Sequence, residues 1–133
     1  MNITLRAGER FFINGAVIRI DRKATIELLN DASFLLENHV MEAEDATTLT
    51  RKIYFAVQTL LMDPGATATA TPLARTLIET ALAACRTPEL GSGLRDVAQS
   101  LAKGRNFEAM KALRALFPIE DAERKRDTEA SAA

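Results

Sequence analysis

The apolar repeat of this chain changes period near residue 42, which limits the fold to short strands first and helices afterwards. Before that point polar and apolar residues alternate. Val17, Arg19 and Asp21 oppose Ala16, Ile18 and Ile20, and Glu27 opposes Ile26 and Leu28. A period of two sends successive side chains to opposite faces of a strand. Asn14-Gly15 lies between the runs Phe11-Phe12-Ile13 and Ala16-Val17-Ile18. Asn-Gly supplies the positive backbone angles of a tight hairpin. Gly8 breaks an earlier run from Ile3, Arg22-Lys23 makes a polar turn, and Asn30-Asp31 closes a fourth strand. The fifth strand is Ser33-Phe34-Leu35-Leu36-Glu37. Five strands in about forty residues predict a meander or a small barrel. Such a unit buries little by itself and needs helices or a second copy.

From Ala46 onward the spacing is helical. Leu49, Ile53, Val57, Leu60 and Leu61 form one stripe, and Asp63-Pro64-Gly65 stops it. The small polar stretch Ala66 to Thr71 reads as a loop, with Thr71 capping a second helix whose first residue is Pro72. Leu73, Leu77, Ala81 and Cys85 follow at four-residue steps. Pro88 opens a third helix, weakened in its first turn by Gly91 and Gly93. Asn106 caps a fourth, carrying Phe107, Met110, Leu113, Leu116 and Phe117 and limited by Pro118. The expected class is α+β: a β module over residues 1–41, three to four helices over 42–118, and a charged tail over 119–133 without fixed structure or as frayed helix.

No enzyme signature emerges. His39 is the single histidine, and no motif pairs it with Cys85 or a serine. A polar residue at a strand end is the plainer reading of His39. Phosphate-binding and dinucleotide-binding glycine motifs are absent, since Gly91-Ser92-Gly93 lacks a following lysine. No cofactor or metal is expected. Cys85, in an Ala-rich run, reads as a small buried hydrophobe of a reducing cytoplasm. No run approaches the ~20 apolar residues of a membrane span. The N-terminus lacks a basic-then-apolar signal pattern.

Net charge is −1 and the pI about 5.9, which disfavours indiscriminate nucleic-acid binding but leaves room for a local patch. Arg6 and Arg10 flank Gly8-Glu9, while Arg19, Arg22 and Lys23 cluster at a hairpin. Guanidinium groups on a small sheet can bind phosphates bidentately, and Phe11, Phe12 or Phe34 could stack on unpaired bases if exposed. The plainer alternative is solvated charge over an aromatic core. Arg51-Lys52 makes a second basic pair at the first helix. Lys103, Arg105, Lys111 and Arg114 read as the wet face of the fourth.

Leu5-Arg6-Ala7-Gly8-Glu9-Arg10, Ile13-Asn14-Gly15-Ala16-Val17, Asn30-Asp31-Ala32-Ser33-Phe34-Leu35, Ala46-Thr47-Thr48 and Arg51-Lys52-Ile53-Tyr54-Phe55-Ala56-Val57-Gln58 together resemble the FlbT family of bacterial flagellin-synthesis regulators. The resemblance implies a cytoplasmic post-transcriptional repressor that acts on the 5′ untranslated leader of flagellin mRNA and limits its translation or stability. The β module is also similar, more weakly, to the carbon storage regulator family CsrA, intertwined β dimers that bind RNA leaders with strand arginines. Arg6 matches the first-strand arginine, and Leu36 stands where the last-strand one would fall. The clustered charges therefore make Arg6, Arg10, Arg19, Arg22 and Lys23 the expected RNA contacts, with Arg51 and Lys52 as a secondary RNA or partner contact; the resemblance itself matches Arg6. Separately, five short strands leave exposed edges and a small sheet is marginal alone, so the β module is expected to form a homodimer that buries Phe34 and Leu36 across a two-fold axis. The competing expectation is an interaction module for another flagellar regulatory protein or secretion component, with indirect control of the message.

Overall fold

The computed structural model describes residues 2–13, 16–30 and 34–132. Strands β1 (Asn2–Leu5), β2 (Arg10–Ile13), β3 (Ala16–Arg19), β4 (Ala24–Glu27) and β5 (Phe34–Leu36) precede helices α1 (Leu49–Met62), α2 (Thr67–Ala84), α3 (Pro88–Ala102) and α4 (Asn106–Ala132). The class is α+β with antiparallel strands, as expected. The expected hairpin pair Asn14-Gly15, Asp31 of the strand-closing pair Asn30-Asp31, and Ser33 at the start of the expected fifth strand lie outside the described residues.

Among the described residues the strands form neither a meander nor a closed barrel. Two small sheets occur, β1–β4 and β3–β2–β5. Their registers show why: Leu5 faces Ala24 in one, and Arg10 faces Arg19 in the other. Every partner pair in both ladders has residue numbers summing to 29. Residues 2–13 and 16–27 therefore run as two antiparallel arms of one long hairpin, bent where the inner arm turns at residues 6–9. At the bend the Gly8 N–H donates to the Ile20 carbonyl, and the Ile20 N–H to the Glu9 carbonyl. This is a glycine bulge, with Gly8 at φ 81°, a backbone region open to glycine at no steric cost. Arg22-Lys23 is consequently the outer arm of the bend and not a turn between paired strands.

Ile3, Leu5, Phe11 and Phe34 form the module's small core, with Ile18, Ile20, Ile26 and Leu36 partly buried around it. Phe107 of α4 closes it, stacked on Phe34 at 4.7 Å between ring centroids. Phe34 and Leu36 thus face the molecule's own interior, and the expected dimer surface through them is already covered. The opposite side of the β2–β5 sheet sends Phe12 and Leu35 into the main helical core. The linker is held to α1 by Gln58, whose amide accepts from the Met41 N–H (2.6 Å) and donates to the Met41 carbonyl (2.9 Å).

Thr48 caps α1, its hydroxyl accepting from the Arg51 N–H. Helix α2 begins at Thr67, five residues before Pro72, so the expected loop is helical and the proline is internal. Thr67 and Thr69 hydroxyls donate to the Pro64 and Ala66 carbonyls, and Ala70 is buried, which stabilises this early turn. Gly93 lies inside α3 where α4 comes close, since a Cβ there would overlap a Leu116 methyl, whereas one on Gly91 would meet the Cys85 Sγ at an ordinary contact distance.

Helix α4 runs through Pro118 to Ala132 where an unstructured or frayed tail was expected. Three carboxylates explain the extension. Glu120 accepts from the Thr50 N–H and, at 2.6 Å, from its hydroxyl. Asp121 holds Arg51 through two bonds of 2.7 and 2.9 Å. Glu123 accepts from the Arg86 N–H, the Thr87 N–H and the Thr87 hydroxyl. The end of α4 thereby satisfies donors at the N-termini of α1 and α3, where negative charge is favoured.

Candidate nucleic-acid interface

The basic residues of the β module divide into held and accessible groups. Arg10 is held. Its N–H donates to one oxygen of Glu37 at 2.9 Å, and its guanidinium reaches the other at 3.1–3.2 Å. The backbone and side-chain bonds from Arg10, with help from the charges of Arg10 and Arg19, lower the pKa of the Glu37 carboxyl. Arg10 faces Arg19 in the β2–β3 register, and like charges directly opposite repel. Glu37 offsets that repulsion. Nothing in the local sequence marked Glu37 for this role, since it lies 27 residues from Arg10.

Arg6, Arg22 and Lys23 are the accessible group. Arg6 has 90% of its side chain exposed and reaches Glu9 only at 3.9 Å; Arg22 reaches Asp21 only at 3.8 Å, with 86% exposed. Ion pairs this long and wet contribute little. The last ladder pair before the bend is Leu5 with Ala24, so Arg6 and Lys23 leave the ladder side by side. A shallow polar hollow of about 410 Å³ opens beside them, lined by Arg6, Gly8, Glu9, Glu37 and Asn38. Arg19 lies one strand step away and is exposed.

Base stacking does not survive inspection of the module's rings. Phe11, Phe12 and Phe34 are 6%, 8% and 4% exposed, and among the described residues no aromatic side chain is fully exposed. The hairpin can offer cations to phosphates, but not a stacking platform.

Arg51 is held by Asp121 and lies over the Phe117 ring at 4.7 Å. The bonds from Asp121 raise its pKa against the effect of burial. Lys52, its neighbour, is exposed. His39 is half-buried and its backbone carbonyl accepts from the Tyr54 hydroxyl. Burial, with Arg114 nearby, lowers its imidazole pKa. No described helix is long and apolar enough to cross a membrane. An apolar groove of about 440 Å³ separates α2 from α3, floored by Leu60, Ala74, Ile78, Leu82 and Leu101.

A bent hairpin with exposed basic residues packs against a helical layer, and comparison with known proteins gives its class. The family model described as "Flagellar protein FlbT" matches residues 1–123. A relative from Bradyrhizobium diazoefficiens, named "Probable flagellum biosynthesis repressor protein FlbT 2", is 48% identical over 122 residues, covering 92% of this chain and 90% of its own. Relatives named as such FlbT repressors from Chelativorans sp. and Rhizobium johnstonii are 44% and 46% identical. They cover 90% and 91% of this chain, and 82% and 81% of their own. No solved structure matches. This chain belongs to the FlbT family, a family of regulators and not of enzymes.

Proposed function

We propose that this chain represses flagellum biosynthesis, as its relatives' names state for them, by binding the 5′ leader of flagellin mRNA and limiting its translation or stability. In this reading it acts in the cytoplasm, as a homodimer through its β module. The observation that carries it is the cluster of Arg6, Arg22 and Lys23 at the hairpin bend, cationic and, among the described residues, without an ion-pair partner closer than 3.8 Å. Arg19 and Lys52 are outlying contacts. Arg10 and Arg51 join only if Glu37 and Asp121 release them. Without exposed rings, affinity comes chiefly from phosphates, so it falls steeply with salt.

The test is a titration of the purified protein with a flagellin leader RNA at several salt concentrations. Binding should weaken steeply as salt rises. The triple variant Arg6→Ala, Arg22→Ala, Lys23→Ala should flatten the log–log slope by roughly two units, since each single-strand phosphate contact contributes about 0.7. Binding that ignores salt, or a triple variant with the original slope, removes the hairpin from the reading. The apolar groove between α2 and α3 favours the second reading, a surface for another flagellar regulatory protein. Complete absence of leader binding transfers the proposal there.

A further inference from the structure

The outer arm of the long hairpin is an unoccupied sheet edge with an unusual internal symmetry. Among the described residues β3 pairs only with β2, and β4 only with β1. Along this arm Val17, Arg19, Thr25, Glu27 and Leu29 are exposed, while Ile18, Ile20 and Ile26 are partly buried against the module's core. Exposed large apolar side chains are few. Val17 is 61% and Leu29 88% exposed, both on this arm, and the only other one among the described residues is Leu73 on α2.

The sequence of the arm matches itself when reversed about Lys23. An antiparallel copy centred there sets Arg19 opposite Glu27 and Val17 opposite Leu29 on the solvent face. On the core face it sets Ile20 opposite Ile26. Directly opposite residues of an antiparallel pair share a face, and opposite charges or apolar groups there attract. Shifting by one two-residue step destroys both matches, placing Arg19 opposite Thr25 or Leu29. Asp21 becomes a diagonal neighbour of the other copy's Lys23, which relieves the meeting of the two lysines at the axis. The edge consists of two strand segments, β3 and β4, that flank the bend at residues 20–23 and keep one register on either side of it. An edge of this kind invites another strand unless it is blunted.

We infer that the β3–β4 edge is a self-recognition surface: a second copy of this chain pairs with it antiparallel about a two-fold axis at Lys23. The inference rests on the dimer reading above and is independent of RNA. It also refines the basic cluster. Arg19 is taken up by Glu27 of the other copy, while Arg6, Arg22 and Lys23 of both copies gather around one axis.

The experiment uses the full-length protein without RNA, in sedimentation equilibrium. Wild type should be dimeric at about 100 µM, with apolar pairs offsetting the cost of association. Glu27→Arg, an exposed change with no ion-pair partner among the described residues of its own chain, should raise the dissociation constant at least about tenfold by setting two arginines against each other. The double variant Arg19→Glu, Glu27→Arg should restore it to within about threefold, which a folding defect would not. With Cys85→Ser as background, Lys23→Cys should form an intermolecular disulfide, because opposed Cα atoms lie roughly 4.5–5.5 Å apart. Thr25→Cys should not, as the two copies' residues would sit about 13 Å apart along the strand. A monomeric wild type overturns the dimer reading and this inference together. A dimer indifferent to Glu27→Arg, or crosslinking equally through Thr25→Cys, overturns the edge alone.

Discussion

Glu37 links the chemistry of the hairpin to its stability. Its carboxylate accepts from the Arg10 backbone and guanidinium, and it lies between two arginines that the register sets face to face. Replacing it by Gln removes the negative charge and leaves Arg10 less firmly held. On the RNA reading, Glu37→Gln should tighten leader binding and steepen its salt slope at neutral pH. In an Arg10→Ala background the same change should leave the slope unchanged, and equal gains in both backgrounds would disprove the link. The signs of the pH effects follow from the same geometry. Glu37, Asp121 and Glu123 all have folded-state pKa values below their ordinary ones. For Glu37 and Asp121 the leading cause is an arginine donor; for Glu123, burial pushes upward but the Arg86 and Thr87 donors prevail. A group lowered on folding stabilises above its unfolded pKa, and that stability is lost as pH falls through the folded one. The melting temperature should therefore fall on acidification below the ordinary carboxylate range. Glu123→Ala strands two backbone N–H groups and a hydroxyl, at a cost of about 1–3 kcal/mol at pH 7. A denaturant titration across pH checks both the size and the flattening of acid sensitivity in that variant.

At the scale of elements, the sequence was most legible where one residue type has one physical use. Asp63-Pro64-Gly65 ending α1 and Pro88 opening α3 follow from local rules, and the structure has both, whereas helical spacing read from Ala46 becomes helix only at Leu49, where Thr48 caps it. The strand positions were legible from alternation, but their pairing was not. Alternation fixes which face a residue takes and says nothing about which strand lies alongside. The glycines of α3 illustrate a different gap. Propensity marks Gly91 and Gly93 only as weak helix residues, whereas α3 and α4 pack too closely at Gly93 for a side chain. Gly93→Ala tests this, because it gains helix propensity of about 1 kcal/mol while forcing Leu116 aside, and overpacking costs about 1–3 kcal/mol. We expect the single change to destabilise. In a Leu116→Ala background, where the obstructing methyls are gone, the same change should stabilise. A double-mutant cycle by chemical denaturation reads the coupling, and equal effects in both backgrounds would show that the close approach is unimportant.

Across the whole molecule, the hidden feature was the end of α4. Residues 119–133 are charged and short of large apolar groups, a composition that cannot form a core. What composition conceals is that Glu120, Asp121 and Glu123 are placed against donors far away in the chain. A faint local sign existed. Helix α1 has Thr48 at its cap but Arg51 three residues later, where a capping box would supply its acid. Thr87 of α3 is likewise followed by Leu90. Neither helix start has an acid at the capping-box position, although Glu89 lies in the first turn of α3, and α4 brings a carboxylate to each from more than 30 residues away. Pro118 is tolerated because the segment beyond it is fixed by these contacts and not by its own helix propensity. Two truncations separate this account from a dispensable tail. Deleting 128–133 removes only exposed residues and Ala132–Ala133, and should change stability by less than about 0.5 kcal/mol. Deleting 119–133 exposes the donors of α1 and α3, leaves Arg51 unpaired over Phe117 and strips Ile119 from the helical core. That should cost upward of about 4 kcal/mol, a large share of the 5–15 kcal/mol typical of a domain. Thermal denaturation followed by circular dichroism decides it: a 119–133 deletion that melts like wild type would mean the end of α4 holds nothing in place.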